Sequence, residues 1–433
     1  MLSVLIIAAV SLLGLIALIF FKPSVIIRGR SINIYWLAPL LGAILLVLFG
    51  KLGIDEVVRG LTNSSGMNPI KILVLLISMT IISIYLDNAG FFSYVAARML
   101  RVAGSRSTAL FFLLYAIVSF LTFFTSNDII VLTFTPFICY FARSAKIDPV
   151  PFLVCEFVAA NTWSMALIIG NPTNIYLASN AGIEFFSYLK TMILPTLASA
   201  LVSLGIMWLI FRKKLALPIT PAEGRATLKN RFHVYTALFH LIVCIVLMSI
   251  SLYIDIPMWL ISLCACLSLI ACSCLFTIIK KRRSTIMKNT LKRAPWDVIP
   301  FVISMFVIVL AFEKTGITEI LSSFLMRGSA VFTFGGASFL SANLINNIPM
   351  SVLFSSVCGG VSGSAQIQAL YASIAGSNIG AFLTPIGAIA GIMWMSLLKL
   401  QRVEFGYTDF IKYGAAVSIP TMLTAIAILS MIL

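Results

Sequence analysis

Apolar runs recur along the whole chain, separated by short polar stretches. A helix needs about 20 mostly apolar residues to cross a bilayer. Runs near that length lie at 2–20, 31–50, 69–87, 191–211, 234–253, 257–279, 296–313 and 413–432. Two further crossings, 150–178 and 365–398, are interrupted by polar, Gly and Pro residues. Two other regions, 107–142 and 329–360, break in the middle, at Ser126-Asn127-Asp128 and at Asn346-Asn347-Ile348-Pro349. The arm after the second break, 350–360, reaches about 16 Å, too short for a hydrocarbon core of about 30 Å. It reads as half of a re-entrant helical hairpin. The arm after the first break, 128–142, reaches about 22 Å and is also compatible with a short crossing; a hairpin is the expectation here too.

Composition removes other classes. Hydrophobic residues make up 61% of the 433 and charged residues 10%, whereas soluble domains run near 45–50% apolar and about 25% charged. The net charge of +16 belongs to loops and not to a nucleic-acid surface. With the loop after residue 20 placed in the cytoplasm and each hairpin counted as no net crossing, 24 of the 30 Lys and Arg fall on the cytoplasmic side, as the positive-inside rule expects. The topology is then a multi-pass protein of the cell inner membrane with a cytoplasmic central loop, both termini outside and membrane lipid around it. Residues 2–20 lack a basic stretch before them and a small-residue cleavage site after them, so they read as a retained span. No phosphate-binding GxxxxGK[ST] loop is present, so this chain does not use ATP through one.

The two halves echo each other. Trp36-Leu37 matches Trp259-Leu260, Gly90 matches Gly316, and Asn127 matches Asn347. Asn161 and Gly170 are spaced like Asn378 and Gly387. The predicted fold is an all-α polytopic membrane protein of about ten transmembrane helices in two inverted five-helix repeats, each with a re-entrant hairpin and a broken helix. The first repeat spans 1–211, a basic linker spans 212–233 and holds Pro218, Pro221 and Gly224, and the second repeat spans 234–433. Inverted repeats with discontinuous helices at the midplane are the pattern of secondary transporters.

Candidate chemistry collects at the breaks. The first tip supplies Ser126, Asn127 and Asp128; the first broken crossing supplies Asn161, Gly170, Asn171, Pro172, Thr173 and Asn174. The second tip supplies Asn346 and Asn347, and the second broken crossing supplies Asn378, Thr384, Pro385 and Gly387. Pro removes a backbone donor and Gly permits unwinding, so carbonyls and N–H groups are freed for a solute or ion. The alternative for each Asn or Thr is a hydrogen bond between helices. Asp128, an acid at membrane depth, is the sharpest candidate and would bind H⁺ or Na⁺; an N-cap for a helix starting near 129 is its alternative. Glu156 is read as facing the cytoplasmic interface, with a functional role as the alternative, and His240 as packed or interfacial. Asp87 and Glu313 mark interfaces. Cys264, Cys266, Cys272 and Cys274 cannot converge in Cys-x-Cys pairs on a helix, where i and i+2 diverge by about 200°; no metal site is expected. No catalytic constellation is visible, so no enzyme is expected, nor any cofactor beyond H⁺ or Na⁺ as coupling ion.

At these residues the chain resembles the arsenite permease family of the ion transporter superfamily, which also includes sodium–proton antiporters and divalent-anion/sodium symporters. "SNDIIVLTFTP" (126–136) is similar to that family's Asn-Asp…Thr-Pro segment, "NNIPMSV" (346–352) to its second tip, and "LTPIGAIAGIMW" (383–394) to its last broken helix. "GNPTN" (170–174) is similar to the unwound segment of the wider superfamily. The resemblance covers nearly the whole chain. It implies a binding site between hairpin tips and unwound helices. It departs where the permeases carry an acid and this chain has Asn161 and Asn378, residues that suit Na⁺ or a neutral or anionic ligand. The function it implies is arsenite or antimonite efflux coupled to H⁺. The alternatives are Na⁺-coupled symport of an anion (a dicarboxylate, citrate or an inorganic oxyanion) and Na⁺/H⁺ antiport. A homodimer and a soluble ATPase partner are compatible with this reading.

Overall fold

The computed structural model describes all residues except 22–23, 28–29, 63–67, 220–227, 229, 252 and 280–284. Pro221 and Gly224 of the predicted linker, and the basic run 280–283, lie outside the described residues.

The first half runs α1 (Leu2–Phe21), a two-stranded antiparallel ribbon (Ser24–Ile27 with Arg30–Asn33), α2 (Leu37–Leu48), α3 (Ile54–Thr62), α4 (Pro69–Asn88), α5 (Phe91–Ala103), α6 (Ser107–Phe124), α7 (Asn127–Ala145), α8 (Val150–Trp163), α9 (Pro172–Asn180) and α10 (Phe185–Leu215). The second half runs α11 (Arg231–Ser249), α12 (Met258–Ile279), α13 (Ile286–Arg293), α14 (Val298–Lys314), α15 (Ile317–Leu325), α16 (Ala330–Ile345), α17 (Asn347–Gly359), α18 (Ser364–Gly380), α19 (Ile389–Leu400) and α20 (Tyr407–Ile432). Helix n of the first half thus has a counterpart ten places later. The contacts swap in the same way: α4 packs on α12 and α14 on α2, α9 packs on α17 and α19 on α7, and α10 packs on α20. That exchange is what a two-fold pseudo-symmetry between halves produces. The matched glycines share their geometry as well. Gly90 and Gly316 take φ of 92° and 74° and lead into α5 and α15; a side chain there would be strained.

Among the described residues nine helical segments are long and apolar enough to cross a membrane. Three lengths differ from expectation. The span predicted at 31–50 gives only the 12 residues of α2, about 18 Å long. The apolar run overstates it because its start is ribbon and its end turns at Gly50, where φ is 64°. Conversely, α10 and α20 are single helices of 31 and 26 residues, each starting six residues before its predicted span. The arms of the first break, α6 and α7, have 18 and 19 residues, whereas α16 and α17 have 16 and 13. Glu313 accepts from Ser356 Oγ at 2.6 Å, and Asp87 pairs with Arg293 at 2.8 Å.

The interrupted helices sit innermost. Every residue of α8 from Val150 to Thr162 is buried, and so is α18 from Ala369 to Gly380. A helix that is apolar all round has no face suited to water and belongs in the interior. By contrast α10 and α12 expose many large side chains, including Leu201, Leu209, Leu267 and Leu275, as lipid-facing helices do.

Candidate functional site

The breaks that define the site have local causes. After α8 the chain makes two single 3₁₀ turns, Ser164–Ala166 and Ile168–Gly170, before α9 restarts. A Cβ on Gly170 would lie 2.3 Å from the Ser164 carbonyl oxygen, so only glycine closes this turn. Asn171, extended at φ −145°, caps α9 by accepting from Thr173 N at 3.2 Å, and Pro172 occupies the first helical position, where no N–H is needed. The second half repeats the device. After α18 the turn Pro385–Gly387 precedes α19, and a Cβ on Gly387 would lie 2.5 Å from the Gly380 carbonyl oxygen. The tip between α16 and α17 is held by Asn346 at φ 73° and ψ 152°, a conformation that strains any residue but glycine. Its side chain sustains this by accepting from Ile348 N at 3.3 Å and donating to the Ile386 carbonyl at 2.9 Å. Thr384 is tied to the same tip, since its hydroxyl and its backbone N–H both donate to Asn343 Oδ1, at 2.7 and 3.0 Å.

The structure brings four of the predicted residues, Asn171, Thr173, Asn174 and Asn378, into one buried network. Asn378 is its hub. Its Oδ1 accepts from Ser164 Oγ at 2.7 Å and from Asn171 Nδ2 at 3.0 Å. Its Nδ2 donates to Asn174 Oδ1 at 2.6 Å and to the Ile374 carbonyl at 2.8 Å. Beside it Ser377 donates to Thr173 Oγ1 at 2.8 Å. Asn174 donates to the Ser164 and Leu167 carbonyls at 2.7 and 3.0 Å, which satisfies backbone freed by the break. In this conformation the two broken crossings are locked to each other, and the amide capacity of Asn378 is fully used. Asn378→Ala would leave Asn171 Nδ2 and Asn174 Oδ1 unbonded in the interior, while Ser164 keeps the Asn161 carbonyl as acceptor, at roughly 1–3 kcal/mol for each buried group. The expected outcome is a clear fall in the midpoint of thermal unfolding in detergent; an unchanged midpoint would mean the network contributes nothing.

The first tip differs. Asn127 opens α7 and donates to Asn161 Oδ1 at 3.0 Å, while Asn161 donates to the Phe157 carbonyl at 2.8 Å. The remaining Asn127 oxygen is buried without a partner, and so are Ser119 Oγ, Thr122 Oγ1 and Thr162 Oγ1. These three hydroxyls belong to α6 and α8, which pack together next to the tip. Sequence reading missed Ser119 and Thr122; their spacing of three on one face of an otherwise apolar helix was the available signal. Ser126 precedes α7 with no side-chain cap bond and, with Thr125, lines a cavity of about 10 Å³ against α4 and Pro172. A space of about 10 Å³ has room for at most a water molecule. Asp128 lies in the first turn of α7, half-buried, where the positive end of the helix favours an anion. It is not the N-cap, which is Ser126. Among the described residues its carboxyl has no hydrogen bond or ion pair. Asn347 opens α17, buried and outside the Asn378 network.

Glu156 corrects the expectation. It does not face an interface but is fully buried on α8, with Thr135 Oγ1 at 3.1 and 3.0 Å from its two oxygens. His240 is packed, bonded to the Thr236 carbonyl and to Ser268 Oγ.

Two halves exchanged by pseudo-symmetry, broken helices at their centre and a polar core among apolar helices define a membrane transporter. The chain belongs to the family described as citrate transporter, whose model matches residues 4–376. It is similar to an arsenical pump membrane protein of Escherichia coli, 25% identical over 427 residues, covering 94% of this chain and 95% of that protein. The arsenical pump membrane protein of Yersinia enterocolitica is 25% identical over 377 residues, 82% of this chain and 85% of that one. The putative arsenical pump membrane protein of Bacillus subtilis is 23% identical over 402 residues, 86% and 88% of the two chains. The crystal structure of the Alcanivorax borkumensis YdaH transporter aligns with a TM-score of 0.56 at 16% identity, covering 99% of this chain and 97% of that one, and shows the fold. The resemblance to the arsenite permeases agrees with these relatives.

Proposed function

We propose that this protein is a secondary transporter that expels arsenite or antimonite across the cell membrane in exchange for protons. The observation that carries the reading is the Asp128 carboxyl, half-buried at the first tip with no hydrogen-bond or ion-pair partner among the described residues. An acid at membrane depth that pairs with nothing is free to take and release a proton. The arsenical pump names of relatives that match most of the chain support the choice of solute. Alternating access comes from motion of the tip-bearing helices against the rest, with the tips inserted from opposite faces as re-entrant hairpins. The central loop lies in the cytoplasm and both termini lie outside, as the distribution of Lys and Arg favours.

The test is arsenite uptake into everted membrane vesicles under an imposed pH gradient. Accumulation that collapses with a protonophore supports the reading. No accumulation, with the protein shown to be folded, removes it. A second reading is favoured by the unpartnered oxygens of Ser119, Thr122, Asn127 and Thr162. Neutral oxygen donors suit a hard cation such as Na⁺, and Na⁺-coupled movement of a dicarboxylate, citrate or an inorganic oxyanion would use them. Uptake of citrate unchanged when choline replaces Na⁺ would rule that version out.

A further inference from the structure

Below the first tip, a second acid is enclosed with no opposite charge paired to it among the described residues. Glu156 is 0% exposed. The ion pairs among the described residues are Lys214–Asp148, Arg293–Asp87 and Lys314–Glu56, so no cation answers Glu156. Its polar neighbour Thr135, on α7, has one hydroxyl proton and two places to put it. Thr135 Oγ1 lies 2.7 Å from the Val131 carbonyl and 3.0 Å from the nearer Glu156 oxygen. A carbonyl only accepts. If the hydroxyl proton points to Val131, the contact with Glu156 is a hydrogen bond only when the carboxyl supplies the proton. If the carboxyl is ionised, the hydroxyl must turn to it and release Val131. Trp394 Nε1 on α19 is buried without a hydrogen-bond partner among the described residues.

A way in exists. A cavity of about 790 Å³ opens at the C-terminal end of α7 and is lined by Cys139, Arg143, Asp148, Val150, Lys214 and Arg402, among others. Cys139 is one helical turn from Thr135, and Val150 stands about 9 Å along α8 from Glu156. On the topology proposed above this cavity faces the cytoplasm.

We propose that Glu156 is a second proton-binding site of this transporter, protonated in the present conformation and exchanging its proton with solvent in that cavity, while the Thr135 hydroxyl turns between the Val131 carbonyl and the carboxylate. Deprotonation breaks the Glu156 O–H bond and passes the proton to cavity water; the electron pair stays on the carboxylate, which then accepts from Thr135. The titratable groups closest in effect are Cys139 on α7 and Cys155 on α8. Among the other packed helices, α6 and α18 offer only Tyr115 and Tyr371. Asp128 and Arg143 on α7, Lys399 on α19, Lys190 and Arg212 to Lys214 on α10, and Asp409 and Lys412 on α20 lie toward helix ends.

The site rests on the transporter reading for its use, but its test needs no transported solute. The purified protein in lipid is titrated while the infrared C=O stretch of protonated carboxylic acids is followed. In the Asp128→Asn background, where the tip acid cannot contribute, the protein is expected to show a buried carboxyl band that disappears as pH rises, and adding Glu156→Gln is expected to remove it. Thr135→Val in the same background keeps the shape and removes the donor that favours the ionised form, so it should raise the midpoint of that band by about one pH unit. A band that survives Glu156→Gln in that background, its absence before that substitution, or a midpoint unmoved by Thr135→Val would overturn the proposal. Arsenite accumulation, measured separately, decides the solute, and its failure would leave the infrared result standing.

Discussion

Asp128→Asn is expected to abolish proton-driven accumulation of arsenite in everted vesicles and, with it, the resistance of cells that depend on this protein. The substitution keeps the size and shape of the side chain in the first turn of α7, so helix and tip should fold as before. It removes only the group that can be charged or neutral. No ion pair or hydrogen bond is lost, because the carboxyl makes none among the described residues; a stability defect is therefore not the expected cause. The favourable interaction of a carboxylate with the N-terminus of α7 is lost, typically 0.3–1 kcal/mol, too little to unfold the protein. Concentrative flux should fall by more than about tenfold, since a lost step worth even 1.4 kcal/mol is a factor of ten. Arsenite that leaks down its own gradient is not expected to respond to the pH gradient at all. If the variant accumulates arsenite as wild type does, Asp128 is not the coupling group. Glu156 would then be the acid left at depth. If wild type moves citrate with Na⁺ and ignores the pH gradient, the unpartnered tip oxygens become the coupling site.

Local chemistry marked where the chain breaks, and long-range packing decided what the breaks do. Pro172, Pro385, Gly170 and Gly387 announce their turns because proline and a side-chain-free residue are needed at those backbone positions whatever surrounds them. The repeat was visible in four landmarks, and the order of the ten helices in each half follows it. The short helices α5 and α15 were not foreseen, because 13 and 9 residues fall short of the apolar length that marks a crossing. Burial of Glu156 was also hidden. Its position early in an apolar run suggests an edge, but α8 is buried from its first residue by neighbours from both halves. The sequence marks Asn378 as polar at depth; that it meets Ser164, Asn171 and Asn174, more than 200 residues away, belongs to the tertiary fold. In the same way, the distinction between a locked centre at Asn378 and an unsatisfied tip at Asn127 comes from counting partners, which only coordinates supply.

The locked centre depends on how closely α16 and α18 approach, and Gly376→Ala is expected to break it. A Cβ at Gly376 would lie 2.0 Å from Ser338 Oγ, 2.6 Å from the Gly335 carbonyl oxygen and 2.8 Å from Phe339 N. A side-chain oxygen can rotate away, but two of these three atoms are backbone and cannot move without moving α16. Helices in a membrane gain little from hydrophobicity against lipid, so close approach at small residues supplies much of their association. Forcing the pair apart should cost about 1–3 kcal/mol or more, the usual range for overpacking a tight core. It should also reach the site, because α16 leads to Asn343 and Asn346 while α18 carries Asn378 two residues beyond Gly376. The expected result is a lowered thermal midpoint in detergent together with lost transport. Gly336→Ala, one position after Gly335 on the same helix, is the control: nothing lies within 4 Å of its Cβ position. There alanine should be neutral or slightly stabilising, since it is the better helix former by about 1 kcal/mol. Equal losses in both variants would show that α16 tolerates no added methyl anywhere. A loss confined to Gly376 would show that the backbone contact between α16 and α18 is what sets the distance between the second tip and the Asn378 hub.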